Sequence, residues 1–378
     1  MRDVQERRRA PSQRQLENIN LLLAGGALVI GAVVGLVMLD DLTQFAGAGV
    51  RSVAETAAIS SAVLSGLVFL GMLLAHQGRV LPWYGEVHPL RRWFNLFGLT
   101  LLIGSLTLFV LRGLGRVAAA AFIGLRLDTY SGATFIAATC ALSVYFAAGI
   151  AGQLNTESLS VLVSGFLVLG AMMSAVNASD QEWWRVHFSA LGMTPDLSGF
   201  AFNFTLVLTG IVVITLADFL THDMRSWLER TRQGAWKAFV LRAGLMVMGA
   251  MLAGVGLIPV TVSHQGHLFV TYGAVGAFIL LAVVAPLILR GIPWGFRVVS
   301  VGALGFVAWL WYLHREIRYL GTTGFEMIAV ATVLLWMVLF IRTVVAAGRD
   351  LQEEPDDTLV LDVSAEDATD HRTEEPPA

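Results

Sequence analysis

Two stretches of the chain gather side chains that can do chemistry. One runs Asp180-Gln-Glu182-Trp183-Trp184-Arg185-Val-His187-Phe-Ser189-Ala-Leu-Gly192, and the other runs Pro259-Val-Thr-Val-Ser263-His264-Gln-Gly-His267. Gly324-Phe325-Glu326 adds a further carboxylate. Histidines and carboxylates on one surface can bind a metal and activate water, and His264 and His267, three apart, share a helix face. No HExxH or other tight ligand spacing occurs, so hydrogen-bonded histidines in a wet headgroup zone are the simpler account and no metal is expected. Ser189 near His187 and Ser263 beside His264 are serine–histidine neighbours without the GxSxG elbow of a nucleophile. Trp183 and Trp184 fit an aromatic belt, with a docking face for lipid or sugar as the other use. Asn203 and Thr205, with Thr261 and Thr271, can line a modest polar pocket. The candidate ligand-binding residues are therefore Trp184, His187, Ser189, Asn203, His264, His267 and Glu326; no catalytic residue is assigned.

The elements that must position these residues follow from composition. Of 378 residues, 56% are hydrophobic and 14% charged, against about a quarter charged in ordinary soluble domains. The one cysteine, Cys140, excludes an intrachain disulfide framework and any cysteine-based zinc site. A bilayer core takes about 20 apolar residues in a helix. Ten such runs occur, near 20–39, 57–76, 93–113, 132–152, 157–177, 200–219, 238–260, 266–289, 294–314 and 325–346. Val117 to Leu127 is apolar but too short to cross, and reads as an interfacial or re-entrant piece. The fold class is an all-α polytopic transmembrane bundle.

Charge placement orients it. The net −3 divides into an acidic stretch, 350–378, carrying eleven acids and one base, and a body of charge +7. With ten spans, fourteen basic residues fall on one side, among them Arg2, Arg7, Arg91, Arg92, Arg225, Arg230, Lys237, Arg290 and Arg349, and six on the other. The positive-inside rule then puts both termini in the cytoplasm. The first apolar run is longer than a signal-peptide core and reads as an uncleaved anchor. The organisation is a basic N-terminal segment (1–19), four spans (20–156), six spans (157–347) and an acidic, disordered cytoplasmic tail (348–378). Arginine in place of lysine, with abundant Ala, Gly and Val, suggests a bacterial source and hence the inner membrane.

Ionisable residues lie toward span ends. Arg112, Asp218 and His222 sit there, and Arg242 and Arg297 are one turn inside, within snorkelling reach. No span carries one at its centre, which speaks against a buried proton relay. The stretch from Arg225 to Lys237, with Trp227 and Trp236, reads as a helix lying on the anionic inner leaflet. Two similar loop entries, Gly124 to Phe135 and Gly192 to Phe202, read as convergent helix capping ahead of duplication. Gly31 and Gly35, and pairs such as Gly249 and Gly254, read as close helix packing.

The stretch WWRVHFSALG, then SGFAFN opening a helix, resembles the membrane family catalogued as domain of unknown function 998. The matching positions are Trp184, Phe188, Ser189, Leu191, Gly192, Phe202 and Asn203, followed by Ile258-Pro259, His267 and Gly324-Phe325-Glu326. No Arg follows Glu326, which departs from the family pattern. The resemblance covers roughly 157–346 and implies fold and membership; the family has no settled activity.

Three functions fit. The first is transport or handling of a lipid or small solute through an outward-facing pocket. The second is a membrane-embedded hydrolase or transferase using the outer His/Glu residues. The third is a structural or regulatory subunit whose acidic tail recruits a cytoplasmic protein. Membrane lipids are expected partners and nucleic acid is not. No Walker motif, GxGxxG fingerprint or haem attachment site occurs, so no cofactor is expected.

Overall fold

The structure, a computed structural model, describes residues 13–46, 52–80 and 82–353. Side chains at 76–80, 82, 86 and 350–353 are outside the description, and so are residues 1–12 and the acidic stretch from 354 on, where the expected tail falls. Ten α-helices account for most of the described residues. They are α1 (Gln13–Met38), α2 (Val53–Val80), α3 (Pro89–Ala121), α4 (Thr129–Gly152) and α5 (Thr156–Val176), then α6 (Leu197–Arg230), α7 (Trp236–Leu257), α8 (His264–Ile288), α9 (Trp294–Arg315) and α10 (Thr322–Glu353). All ten are long and apolar enough to cross a membrane. The shortest, at 21 residues, spans about 31 Å at 1.5 Å per residue, which matches a hydrocarbon core. This is a multi-pass membrane protein by its helices.

Helix starts are fixed by short polar side chains that satisfy the free amides of the first turn. Asp128 accepts from the Tyr130 and Ser131 amides to start α4, and Asp196 accepts from the Gly199 amide to start α6. Asn155 and Ser158 form a reciprocal capping box on α5, and Ser263 caps α8. Asp128 and Asp196 are the shared feature of the two similar loop entries, and both are used as caps. Val117 to Leu127 does not form a separate piece. Residues through Ala121 continue α3, since nothing there breaks a helix. Arg126–Leu127 (β2) then pairs antiparallel with Thr43–Gln44 (β1), tying the α3–α4 link to the α1–α2 link.

Contacts between links sort the bundle into two ends. At the proximal end, where α1 begins, Gln233 of the α6–α7 link bonds the backbone of Arg290 in the α8–α9 link, Thr156 of α5 bonds Asp223 of α6, and Arg349 of α10 pairs with Glu157. At the distal end, Arg116 of α3 bonds Asn177 beyond α5, and Thr323 of α10 bonds the Trp184 carbonyl in the α5–α6 link. Helices therefore alternate in direction.

α6 is the most buried helix and sits at the centre, against α3, α5, α7 and α10. Its crossing with α7 is backbone-close: a Cβ on Gly210 would stand 2.3 Å from the Gly249 carbonyl oxygen. α1, α2 and α4 pack chiefly on one another, α1 meeting α4 where Gly35 faces Ala133. α3 carries the main packing between that group and α5–α6. Trp227, expected at the headgroups, is buried inside the proximal end, because 225–230 prolongs α6 and does not lie on a surface; Trp236 is exposed as expected.

Candidate functional site

Five of the seven sequence-derived residues come together at the distal end. The α5–α6 link folds as two short 3-10 turns, Trp183–Arg185 and Phe188–Met193, and docks on the start of α10. The Ser189 amide donates to Glu326 Oε2 at 3.2 Å, and Thr323 Oγ1 donates to the Trp184 carbonyl at 2.7 Å. His187 Nδ1 and Ser189 Oγ are 3.0 Å apart. From beneath, Asn203 Nδ2 on α6 donates to the Gly192 carbonyl at 2.9 Å. Phe188 stacks edge-on against Phe202, and Leu191, Phe202 and Leu206 bury an apolar base under the turn. The Trp184 indole stays exposed with the Arg185 guanidinium over its ring.

The two later histidines are elsewhere. His267 is buried, and its Nδ1 lies 2.9 Å from the Ile258 carbonyl; a carbonyl only accepts, so this nitrogen carries the proton and fixes the α7–α8 turn. His264 is the exposed first residue of α8. Among the described residues no group of three or more His, Cys, Asp or Glu is placed to hold a metal ion. Ser189 and His187 have the contact of a nucleophile and base. Glu326, however, holds the Ser189 amide and not the far side of the imidazole, which is the place of an orienting carboxylate in a triad. The arrangement pins a loop.

Among the described residues a cavity opens at each end of the bundle, and neither of these is lined by any of the seven. One of about 330 Å³ lies at the distal end beside Asp40, Asp41 and Arg126. The other, about 480 Å³, lies at the proximal end among Thr156, His222, Asp223, Arg225, Glu229 and Arg349.

Sequence reasoning missed the most expensive feature. Asp218 on α6, its side chain only 4% exposed, is shared by two arginines. Arg91 of α3 closes a two-point grip on it, Nε donating to Oδ2 at 2.6 Å and Nη2 to Oδ1. Arg242 of α7 reaches Oδ1 at 3.0 Å. Asn95 Nδ2 donates to Oδ2 at 3.1 Å, and Thr215 Oγ1 donates to Asn95 Oδ1 at 3.2 Å. Arg242, expected within snorkelling reach of the interface, is held by the buried Asp218 carboxylate. Nearby, burial pushes the Tyr84 phenol above its ordinary range, so it stays protonated; its hydroxyl approaches Asn95 without completing a hydrogen bond. The available signal was helical spacing, Arg91 to Asn95 being i,i+4 and Thr215 to Asp218 i,i+3, which puts each polar pair on one face.

In comparison with known proteins, no family model, no curated protein and no solved structure matches this chain.

Proposed function

We propose that the protein moves or handles a lipid or small solute across a bacterial cytoplasmic membrane, with both termini inside. The observation that carries this reading is the Asp218–Arg91–Arg242 network. Ionisable groups at membrane depth are costly, and where they occur they mark transport paths and switches more often than static supports. This one ties α3 and α7 to α6 through a single carboxylate, so any movement of α3 relative to α6 and α7 must rearrange it. At the distal end the α5–α6 link is pinned on α10 by Glu326 and Thr323. Membership of the domain of unknown function 998 family is part of this proposal. Its support is that Trp184, Ser189, Gly192, Asn203 and Glu326, all among the resembling positions, each take part in a hydrogen bond that holds the α5–α6 link in place.

The test is reconstitution into liposomes, following both fluorescent-lipid movement between leaflets and release of trapped small solutes. Movement above protein-free vesicles is expected, falling at least ten-fold with Asp218→Asn. No movement of either kind, or full movement by that variant, removes the reading. A second reading, a surface hydrolase, has one observation in its favour, the 3.0 Å Ser189–His187 contact. Labelling of Ser189 by a serine-reactive phosphonate, abolished in Ser189→Ala, would favour it.

A further inference from the structure

The charge network does not balance. Asp218 supplies one negative charge, and its oxygens already accept from Arg91 twice, from Asn95, and face Arg242. A carboxylate has about four acceptor positions, so this one is full, while among the described residues the two guanidiniums leave a surplus positive charge. Among the described residues the buried Arg242 Nε donates to nothing, and Asp218 is the one ion partner of Arg242. Three other carboxylates at the proximal end are engaged away from it: Glu17 with Tyr145, Glu157 with Arg349, and Asp223 with Thr156.

The surplus charge is reachable from the membrane. Arg91 and Arg242 are 29% and 28% exposed. α3 and α7 each pack on α6 and make little contact with one another, so the two arginines reach one α6 carboxylate from separate helices. Phe94, three residues from Arg91, and Phe239, three before Arg242, share their helix faces and are exposed. By rise per residue, Arg91 and Arg242 lie about 3 and 9 Å inside their helix starts, near the span ends, where a bilayer places its headgroups. The anion a membrane offers at that depth is phosphate, and the planar guanidinium fork suits phosphate oxygens.

We propose that Arg91 and Arg242, held apart at a fixed distance by Asp218, form a binding site for a phosphate ester, carried by a membrane phospholipid whose chains lie along the exposed faces of α3 and α7. The site rests on the membrane placement of the network given above, and binding is measured apart from movement. A protein that binds but moves nothing therefore keeps this inference and loses the transport reading.

The experiment uses the full chain, purified and delipidated in detergent. Phosphatidylglycerol is added in one arm and glycerol 3-phosphate in another, and retained ligand is counted by native mass spectrometry. Phosphatidylglycerol is expected to stay bound to the wild type, and Arg242→Gln to reduce the bound fraction about ten-fold. That variant leaves Asp218 paired one-to-one with Arg91, so it should still fold. Arg242→Lys, which keeps the charge and loses the fork, is expected to bind several-fold more weakly. Arg225→Gln, an exposed arginine at the same end, should bind as the wild type does. Glu86 is kept in every variant, so any charge it contributes is common to all. Retention of glycerol 3-phosphate as strong as that of the lipid, and dependent on Arg242, supports the phosphate site and assigns it a soluble source. Equal lipid retention by wild type, Arg242→Gln and Arg242→Lys, or equal loss in Arg225→Gln, overturns the proposal.

Discussion

At the scale of single residues, Asp218 sets the largest expectation. Removing one partner of a buried ion pair leaves the other charges uncompensated, which costs several kcal/mol. Here the arginines are partly exposed and can recruit water, so Asp218→Ala should cost on the order of 2–4 kcal/mol. Thermal unfolding in detergent reads this, and Arg242→Gln should fall well short of it. Asp196 shows a smaller, pH-dependent case. The Ser179 and Thr194 hydroxyls and the Gly199 amide stabilise its charged form and lower its pKa from 3.8 to about 2. Its contribution is fully present above the ordinary carboxylate value and is lost as pH falls toward 2. Asp196→Ala should cost about 1 kcal/mol at neutral pH, as a lost helix cap does, with the difference from wild type shrinking under strong acid. The caps were legible in the sequence because a cap acts on amides two or three residues away. Asp218 was not. Its distance from a helix end along the chain suggested an interfacial residue, but its partners sit on α3 and α7, and no pattern within one helix reveals what lies across from it.

At the scale of elements, apolar run length predicts all ten helices, because in a bilayer each helix satisfies its own backbone and needs no partner to be recognised. What the helices pack against depends on small residues whose role is settled only by pairing. Gly210 was not singled out in the sequence, yet its approach to Gly249 is among the closest in the fold. Gly165, by contrast, meets nothing within 4 Å. Gly210→Ala should therefore destabilise by about 1–3 kcal/mol through overpacking, whereas Gly165→Ala should be neutral or slightly stabilising through helix propensity. Denaturation of the two variants side by side checks the contrast. The α5–α6 link was correctly read as polar and aromatic, but its attachment to α10 joins residues 137 apart in sequence. Glu326→Gln weakens a charged acceptor to a neutral one. Hydrogen exchange at Ser189 and its neighbours should then rise several-fold while the helices stay protected. Unchanged exchange would mean that Glu326 does not hold the loop.

For the whole molecule, the alternation of links between two ends turns the placement of basic residues into an orientation that can be measured. The proximal end carries Arg91, Arg92, Arg225, Arg230, Lys237 and Arg290, and positive charge in short loops favours the cytoplasm. The same charge surplus underlies the proposed phosphate site, so orientation and ligand are linked. A phosphate held by Arg91 and Arg242 belongs to the inner leaflet if the proximal end faces inward, and to the outer leaflet if it does not. Cys140 is buried between α4 and α2, beside Ser61, which leaves little background for thiol labelling. Single cysteines at exposed positions can then report each end: Ser226→Cys for the proximal end, Asp180→Cys and Gln265→Cys for the distal end. An impermeant maleimide added to intact cells should label positions 180 and 265 and spare 226 until the membrane is opened. Labelling of 226 from outside with protection of the other two would invert the molecule, moving the Asp218 network to the outer face and the pinned α5–α6 link to the inner one. Labelling of 180 and 226 from the same side would contradict the alternating bundle itself.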